Sequence, residues 1–119
     1  MTYVLKDITV IIPTYNRKDN LLETIKHIPN TINEIIVVDQ GKPGEITDKD
    51  MRKDIPIHIM RSEIPSITIA RNKGLQWVTT GLVCYIDDDV NISEKYFEGI
   101  LPKPIASVIS LIMKANKSL

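Results

Sequence analysis

Short apolar runs alternate with amphipathic segments along this chain of 119 residues. Four runs are rich in β-branched residues, which is typical of buried strands, and they span 8–12, 34–38, 55–60 and 82–86. Between them, apolar residues recur at helical spacing in segments that begin near residues 17, 66 and 93. This alternation predicts one domain over 1–119, a three-layer α/β/α fold with a mostly parallel, Rossmann-like sheet.

Polar residues and prolines predict where these elements begin and end. We expect Pro13 to end the first strand, and the polar segment 45–54 to form a short solvated helix. Small residues on the second helix, including Gly74, predict that this helix lies close to the sheet. A fifth strand is expected over 105–113. The residues expected to cap the three helices are Asn16 or Asp19, then Ser66, then Asn91 or Ser93.

The fourth strand is followed by three consecutive carboxylates, Asp87, Asp88 and Asp89. Adjacent carboxylates repel each other, and burying them unpaired is costly, so they need cations or water as partners. Ligands of parallel sheets bind outside the carboxyl ends of the strands. The triplet therefore predicts a site for a hard divalent cation that carries phosphates, held by Asp88 or Asp89. A solvated acidic turn is the alternative.

Two other strands also end in polar loops, Thr14 to Arg17 and Asp39 to Gly41. All carboxyl ends of a parallel sheet lie on one edge, so we expect the three loops to converge. Tyr15 offers a flat face on which a base could stack, and Asp39 could accept hydrogen bonds from a base or ribose. Arg71 could supply positive charge near a helix start. Loop packing, turn formation and a surface ion pair are the ordinary alternatives, but together these residues favour a nucleotide site.

Composition narrows the class of protein. Lys and Arg number 15, Asp and Glu number 15, and the basic residues are scattered, which argues against a nucleic-acid partner or a membrane patch. The single cysteine, Cys84, excludes an intrachain disulfide or a cysteine metal cluster. No apolar run is long enough to span a bilayer, and the N-terminus has no charged-then-apolar leader, so we expect a cytoplasmic protein without a transmembrane segment.

Other α/β nucleotide and phosphate domains fit the sequence less well. A phosphoacceptor receiver domain needs an acidic pair after the first strand, where this chain has Pro-Thr-Tyr-Asn at 13–16. A dinucleotide-binding domain needs a Gly-x-Gly-x-x-Gly turn, which is absent from the sequence. A nucleotidyltransferase usually opens with a glycine-rich, basic loop. A receiver-like signalling domain, a non-catalytic nucleotide-binding module and an inert fragment stay open as alternatives.

Four motifs resemble, in order and spacing, the signatures of glycosyltransferase family two, which has the GT-A fold. They are Ile-Ile-Pro-Thr-Tyr-Asn-Arg at 11–17, Ile-Val-Val-Asp at 36–39, Ala-Arg-Asn-Lys-Gly at 70–74 and Ile-Asp-Asp-Asp at 86–89. The resemblance implies a nucleotide-diphosphate sugar as ligand, often a UDP-sugar, with Mn²⁺ or Mg²⁺ as cofactor. It also implies hexosyl transfer to an acceptor that the sequence does not identify.

The resemblance assigns roles to the residues of these motifs. Thr14 and Tyr15 would contact the base, Asp39 would read it, and Arg71 would lie near the diphosphate. Where the family often has Asp-Gly-Ser after its aspartate, this chain has Gln-Gly-Lys at 40–42, which leaves the ribose contacts open. The implied nucleotide-sugar residues are Pro13, Thr14, Tyr15, Arg17, Asp39, Arg71, Asp87 and Asp88.

The acidic triplet would be the DXD element of this family. In that element Asp89 is the implied direct metal ligand and Asp87 the second ligand, with Asp87 or Asp88 facing the ribose and sugar. The resemblance thus places the cofactor and the diphosphate at the end of the fourth strand.

Sugar transfer with inversion also needs a general base to take the proton of the acceptor hydroxyl. In the family that carboxylate comes from the second half of the domain, and here no Asp or Glu follows Glu98. We therefore identify no catalytic residue and expect the nucleotide-sugar-binding half of a glycosyltransferase, which binds but transfers weakly or not at all. A truncated sheet would leave an edge uncovered, which favours self-association.

Overall fold

The computed structural model describes residues 3–90 and 92–101. In chain order the helices and strands are β1 (Ile8–Thr14), α1 (Lys18–Lys26), β2 (Glu34–Asp39), β3 (Ile57–Arg61), α2 (Ile67–Leu75), β4 (Leu82–Tyr85) and α3 (Glu94–Ile100). Short 3₁₀ helices lie at Leu5–Asp7 and Asp48–Asp50. The expected fifth strand over 105–113 and the expected cap Asn91 lie outside the described residues.

The four strands form one parallel sheet in the order β3-β2-β1-β4. β1 lies inside the sheet and all seven of its residues are buried, because helices cover both faces of a parallel sheet. The α/β fold class predicted from the alternating pattern is confirmed. The carboxyl ends of the strands therefore share one edge, where the polar loops begin.

β1 continues through Pro13, so the prediction that this proline ends the strand is wrong. Pro13 pairs in register with Val38 of β2, and Thr14 pairs with Asp39. Successive residues of a strand direct their backbone groups to opposite neighbours, and the Ile11 carbonyl accepts from Ile86 on the β4 side. The missing N–H of Pro13 consequently also faces that side. β4 has ended at Tyr85 there, so no ladder hydrogen bond is lost.

Helices α1 and α3 pack on one face of the sheet and α2 packs on the other. On the first face Leu21, Ile25 and Phe97 belong to a core with alternate residues of the strands. On the second face Ala70 packs with Ile11 and its neighbours in a smaller cluster. The described domain thus has the three predicted layers. None of its described helices has the length and apolar character needed to cross a membrane.

The helix caps agree only in part with the prediction. Ser66 caps α2, accepting a hydrogen bond from the Ile69 N–H at 3.3 Å. At α1 the helix begins after Arg17 and no side chain caps it, so the assignments of Asn16 and Asp19 as caps are wrong. Asp19 lies instead in the first turn, where negative charge suits the helix dipole. Ser93 precedes α3 without a side-chain hydrogen bond to it.

The segment predicted as a solvated helix over 45–54 contains only the 3₁₀ turn Asp48–Asp50. Arg52 belongs to this segment, and its Nη1 donates to the carbonyl oxygens of Ile25 and Ile28. These carbonyls lie at the end of α1, where the regular i to i+4 hydrogen bonds of the helix stop and a side chain can serve as donor. The segment is therefore held in place by hydrogen bonds to the end of α1, and not by a helix of its own.

α2 approaches the sheet closely at Gly74, as its small residues predicted. A Cβ added at Gly74 would lie 2.8 Å from Cγ2 of the fully buried Ile11. By contrast, a Cβ at Gly99 of α3 would meet no atom within 4 Å. The two glycines occupy helices but differ in the space beside them.

We expect Gly74→Ala and Gly99→Ala to change the free energy of unfolding in opposite directions. Alanine in a helix interior gains roughly 1 kcal/mol over glycine, whereas overpacking a filled core costs about 1–3 kcal/mol. Gly99→Ala should therefore stabilise the protein and Gly74→Ala should destabilise it. Urea unfolding followed by circular dichroism measures both, and an equal gain in both variants would contradict the close approach of α2.

Candidate functional site

A cavity of about 420 Å³ lies at the carboxyl edge of the sheet. It is formed by the loops that follow β1, β2 and β4, together with the start of α2. Of the residues predicted for the site, those that line it are Pro13, Thr14, Tyr15, Arg17, Asp87, Asp88 and Asp89. Gln40, Pro65, Ser66 and Ile67 complete its wall. The structure thus brings together residues that are up to 76 positions apart in sequence (13 and 89).

The three carboxylates differ in burial. Asp88 is 4% exposed, Asp87 is half-buried and Asp89 is exposed. The Asp88 carboxylate accepts a hydrogen bond from the Thr14 hydroxyl at 2.8 Å, and its Oδ1 lies 3.6 Å from Nε of Arg17. Asp88 is therefore the most buried and most firmly held residue of the triplet, and all three carboxylates line the cavity.

Thr24 holds the backbone of the triplet from the side of α1. Its hydroxyl contacts the carbonyl oxygens of Asp88 at 2.9 Å and Val90 at 3.0 Å. Sequence reasoning missed this residue, although a signal exists: Thr24 is a polar residue on the helix face that Leu21 and Ile25 bury. Thr14 and Thr24 thus both form hydrogen bonds with the triplet. The Thr14 hydroxyl, which was predicted to contact a base, donates its hydrogen bond to Asp88 instead.

Burial raises the pKa of Asp88 above its usual value of 3.8. The hydrogen bond from Thr14 and the positive charge of Arg17 act in the opposite direction, and the two neighbouring carboxylates add to the rise. The cavity therefore carries concentrated negative charge that a cation would relieve.

Arg17 pairs with Asp89 at the mouth of the cavity. Its Nη1 lies 3.2 Å from Oδ2 of Asp89, and both side chains are about half exposed, at 53% and 46%. An exposed pair of this kind contributes little to stability because water and salt screen it. Another cation can therefore replace Arg17 beside Asp89 at small cost.

Carboxylate oxygens are the ligands that Mg²⁺ and Mn²⁺ prefer. Within residues 3–90 and 92–101, no group of three or more His, Cys, Asp or Glu side chains is arranged to hold a metal ion. Mg²⁺ commonly binds one or two carboxylates and takes its remaining ligands from phosphate and water. Asp89 and Asp87 fit that arrangement, with Asp88 committed to Thr14.

Arg71 lies beside the triplet and flanks the cavity without being part of its lining. Its guanidinium carbon is 5.2 Å from the centre of the Tyr85 ring. Burial lowers the pKa of Arg71, and the negative charge of Asp87 opposes that shift. Its Nε is buried without a hydrogen-bond partner among the described residues. Arg71 is thus a positive group that an anion at the cavity could satisfy.

Asp39 does not line the cavity, although it closes β2 at the same edge. It is 2% exposed. Its Oδ1 accepts the Gly41 N–H at 3.0 Å, and its Oδ2 lies 3.0 Å from Nη1 of Arg61 in an ion pair. Arg61 is absent from the predicted site, since nothing in the pattern of β3 distinguishes it from a strand-end charge.

The next residue, Gln40, lines the cavity where Asp39 does not. Its Oε1 accepts the backbone N–H of Ser66 at 2.6 Å, which connects the end of β2 to the start of α2. This residue was noted in the sequence only as a departure from a motif.

Asn16 and Gly41 fix the loops after β1 and β2 against each other. Asn16 has a φ of 54°, a left-handed conformation that asparagine tolerates better than most residues, and its Oδ1 accepts the Lys42 N–H at 2.9 Å. A Cβ at Gly41 would lie 2.3 Å from that same Oδ1. The cavity wall therefore depends on glycine at this position.

Comparison with known proteins adds a family to this geometry. A family model described as Glycosyl transferase family 2 matches residues 9–105. Glycosyltransferase GlyA of Streptococcus pneumoniae is 31% identical over 102 residues, covering 81% of this chain and 15% of GlyA. The minor teichoic acid biosynthesis protein GgaB of Bacillus subtilis is 32% identical over 104 residues, covering 80% of this chain and 12% of GgaB.

Solved structures show the same fold. The crystal structure of S. aureus TarS 1-349 aligns with a TM-score of 0.65 and 23% identity, over 77% of this chain and 30% of that one. The structure of S. aureus TarS 1-349 in complex with UDP-GlcNAc aligns with a TM-score of 0.56 and 26% identity, over 77% of this chain and 29% of that one. The chain thus spans less than a third of each of these proteins.

We expect Asp88→Asn to stabilise the protein at neutral pH and to flatten its dependence on pH. Because the pKa of Asp88 is raised in the folded state, its contribution to stability is present at pH values below 3.8 and is lost as the pH rises through the raised value. The asparagine oxygen can still accept from Thr14. Melting temperatures should differ by on the order of a few degrees at pH 7 and converge near pH 4.

Asp48→Asn is the matched control for this measurement, since Asp48 is an exposed carboxylate in a turn away from the triplet. Parallel melting curves of the wild type and Asp88→Asn from pH 4 to pH 7 would contradict a raised Asp88 pKa.

Proposed function

Because the chain belongs to glycosyl transferase family 2, we propose that its carboxyl-edge cavity binds the nucleoside diphosphate of a nucleotide sugar, with a UDP-sugar as the donor. The observation that carries the proposal is the shared cavity, which is lined by both an exposed aromatic residue and an acidic triplet. The 26% identical TarS structure, a complex with UDP-GlcNAc, supports a uridine nucleotide as the first ligand to test.

In this proposal Tyr15 stacks on the base. Tyr15 is 52% exposed and lines the cavity, and aromatic faces of this kind bind bases by stacking. Pro13 and Thr14 shape the same wall, with Thr14 also holding Asp88. The alternative role for Tyr15 is packing within its own loop. That role is less favoured, because a ring packed against the loop would be less exposed than Tyr15 is.

The diphosphate lies at the other end of the cavity in this proposal. Asp89 and Asp87 would hold Mn²⁺ or Mg²⁺, which when bound would neutralise charge that develops on the departing diphosphate. Arg17 would be available to pair with a phosphate oxygen, since its exposed ion pair with Asp89 costs little to separate. Arg71 adds a second positive charge from the side of Asp87.

The reaction we propose is transfer of a hexosyl group from the nucleotide to an acceptor hydroxyl. Such transfer with inversion requires a general base. Glu94 and Glu98 lie on α3, and no carboxylate follows Glu98 in the sequence. We therefore propose that this chain supplies donor binding and that transfer by the chain alone is weak or absent.

We propose a cytoplasmic location and self-association through a sheet edge as secondary features. The single cysteine, Cys84, is buried and free, so the chain needs no oxidising compartment for a disulfide. The edges of the described sheet are β3 and β4, and an open strand edge is a template for pairing with another chain.

We expect calorimetric titration of the chain with UDP to show binding that Mn²⁺ strengthens. Asp89→Asn should abolish most of the metal-dependent gain in affinity, about tenfold or more, because it removes a charged oxygen ligand. Asp48→Asn is the matched control, since Asp48 is an exposed carboxylate in a turn outside the cavity.

Equal binding of UDP with and without Mn²⁺ in the wild type would reject the metal-assisted site. Robust sugar transfer by the purified chain, lost in Asp89→Asn, would instead show that the chain has its own general base.

We expect Tyr15→Ala to weaken UDP binding by about fivefold to a hundredfold, the range that corresponds to one stacked base at roughly 1–3 kcal/mol. Tyr15→Phe keeps the ring and should bind within about twofold of the wild type. The dissociation constants of both variants in the presence of Mn²⁺ measure the effect. Equal weakening in both variants would assign the role to the hydroxyl and would exclude stacking.

A further inference from the structure

We propose that Thr24 is a positioning residue for Asp89, the proposed metal ligand, and that it acts by holding the backbone on either side of Asp89. The inference rests on the proposed function and adds to it a residue on the buried face of α1. Thr24 does not line the carboxyl-edge cavity. Its effect on a ligand there is therefore transmitted through residues 88–90.

The hydroxyl of Thr24 forms two hydrogen bonds that bracket Asp89 in the chain. It donates to the carbonyl oxygen of Asp88 at 2.9 Å and to that of Val90 at 3.0 Å. Because a hydroxyl has only one proton, the two carbonyl oxygens share it. Sharing keeps both peptide groups turned towards α1. The Thr24 hydroxyl thus restricts the backbone from which the Asp89 side chain projects.

Strand pairing and the Asp89 side chain itself do little to fix this residue. β4 ends at Tyr85, and its pairing with β1 ends there too. The Asp89 carboxylate pairs with Arg17, but both side chains are about half exposed, and such pairs contribute little. Thr14 contacts the carboxylate of Asp88, and that contact orients Asp88 and not its neighbour. The position of Asp89 therefore depends on how its backbone is held.

A second cavity adjoins this part of the chain. It has a volume of about 180 Å³ and is lined by Thr24, by neighbouring residues of α1, and by Asp89 and Val90. Asp89 lines both this cavity and the carboxyl-edge cavity. The chain at 89–90 thus has free space beside it into which it could shift. Since close packing is what normally fixes an interior segment, a directed hydrogen bond has the larger role here.

Burial makes the Thr24 hydroxyl difficult to replace by water. Thr24 is 2% exposed and lies on the same helix face as Leu21 and Ile25. A side chain without the hydroxyl would remove the donor that Asp88 and Val90 share, and buried acceptors without a donor are costly. The chain at 89–90 would then shift to find other partners. We expect Asp89 to move with it and to bind a cation less well.

The test replaces Thr24 with valine, which has nearly the same shape and no hydroxyl, and measures UDP binding by calorimetry with and without Mn²⁺. The ratio of the two dissociation constants is the metal gain. We expect Thr24→Val to reduce the metal gain by about tenfold, as is typical when a contact that orients a metal ligand is lost, and to change metal-free binding by less than about twofold. Thr24→Ser keeps the hydroxyl and should keep the metal gain within about threefold of the wild type.

Thr9→Val is the matched control. Thr9 is fully buried, its hydroxyl lies 2.7 Å from that of Thr80, and it stands near the start of β1, at the opposite edge of the sheet. Both valine variants lose one buried hydroxyl, so each should lower the melting temperature by on the order of several degrees. Only Thr24→Val should lower the metal gain. If that variant does not fold, Thr24→Ala gives the same comparison, because the better helix propensity of alanine offsets part of the loss.

The outcomes distinguish this inference from the function on which it rests. A wild-type chain whose binding of UDP is not strengthened by Mn²⁺ overturns the proposed metal site and the role of Thr24 with it. A wild-type metal gain that Thr24→Val retains, or that Thr9→Val reduces equally, overturns the role of Thr24 alone. Equal losses in Thr24→Ser and Thr24→Val would also overturn it, since the serine variant retains the hydroxyl.

Discussion

Asp88 brings a carboxylate into the interior of the protein, and the loops of the cavity are built around it. A buried charge must be hydrogen-bonded or paired, so Thr14 from β1, Arg17 before α1 and Thr24 within α1 all converge on the residue or its backbone. These contacts fix where the chain goes after β4. They therefore set the positions of the two flanking carboxylates, whose charge defines what the cavity can bind.

Much of the fold could be predicted from the sequence because burial follows the apolar pattern. The four runs became four parallel strands, and the small residue Gly74 marked where α2 touches the sheet. The end of β1 was predicted wrongly because it depends on a neighbouring strand. Pro13 is tolerated within β1 since β4 ends before it reaches that position. Arg52 likewise acts on a helix more than twenty residues earlier, which periodicity cannot reveal.

The candidate site was predictable at the level of loops and less so at the level of side chains. Parallel strands place their carboxyl ends together whatever the side chains are, so Tyr15 and Asp89 could be assigned to one edge. Which polar atom faces the cavity depends on contacts between distant segments, such as Asp39 with Arg61 and Gln40 with Ser66. A single sequence carries no record of those pairs.

Because Gly41 lies very close to Asn16, the residues allowed at one of these positions depend on the residue at the other. Any side chain at position 41 would collide with the side chain of Asn16, and a residue at 16 without a side-chain oxygen there would leave the Lys42 N–H without its acceptor. A substitution at only one of the two positions would disturb the contact between the loops that follow β1 and β2. Among descendants of this sequence, substitutions at 16 and 41 should therefore covary.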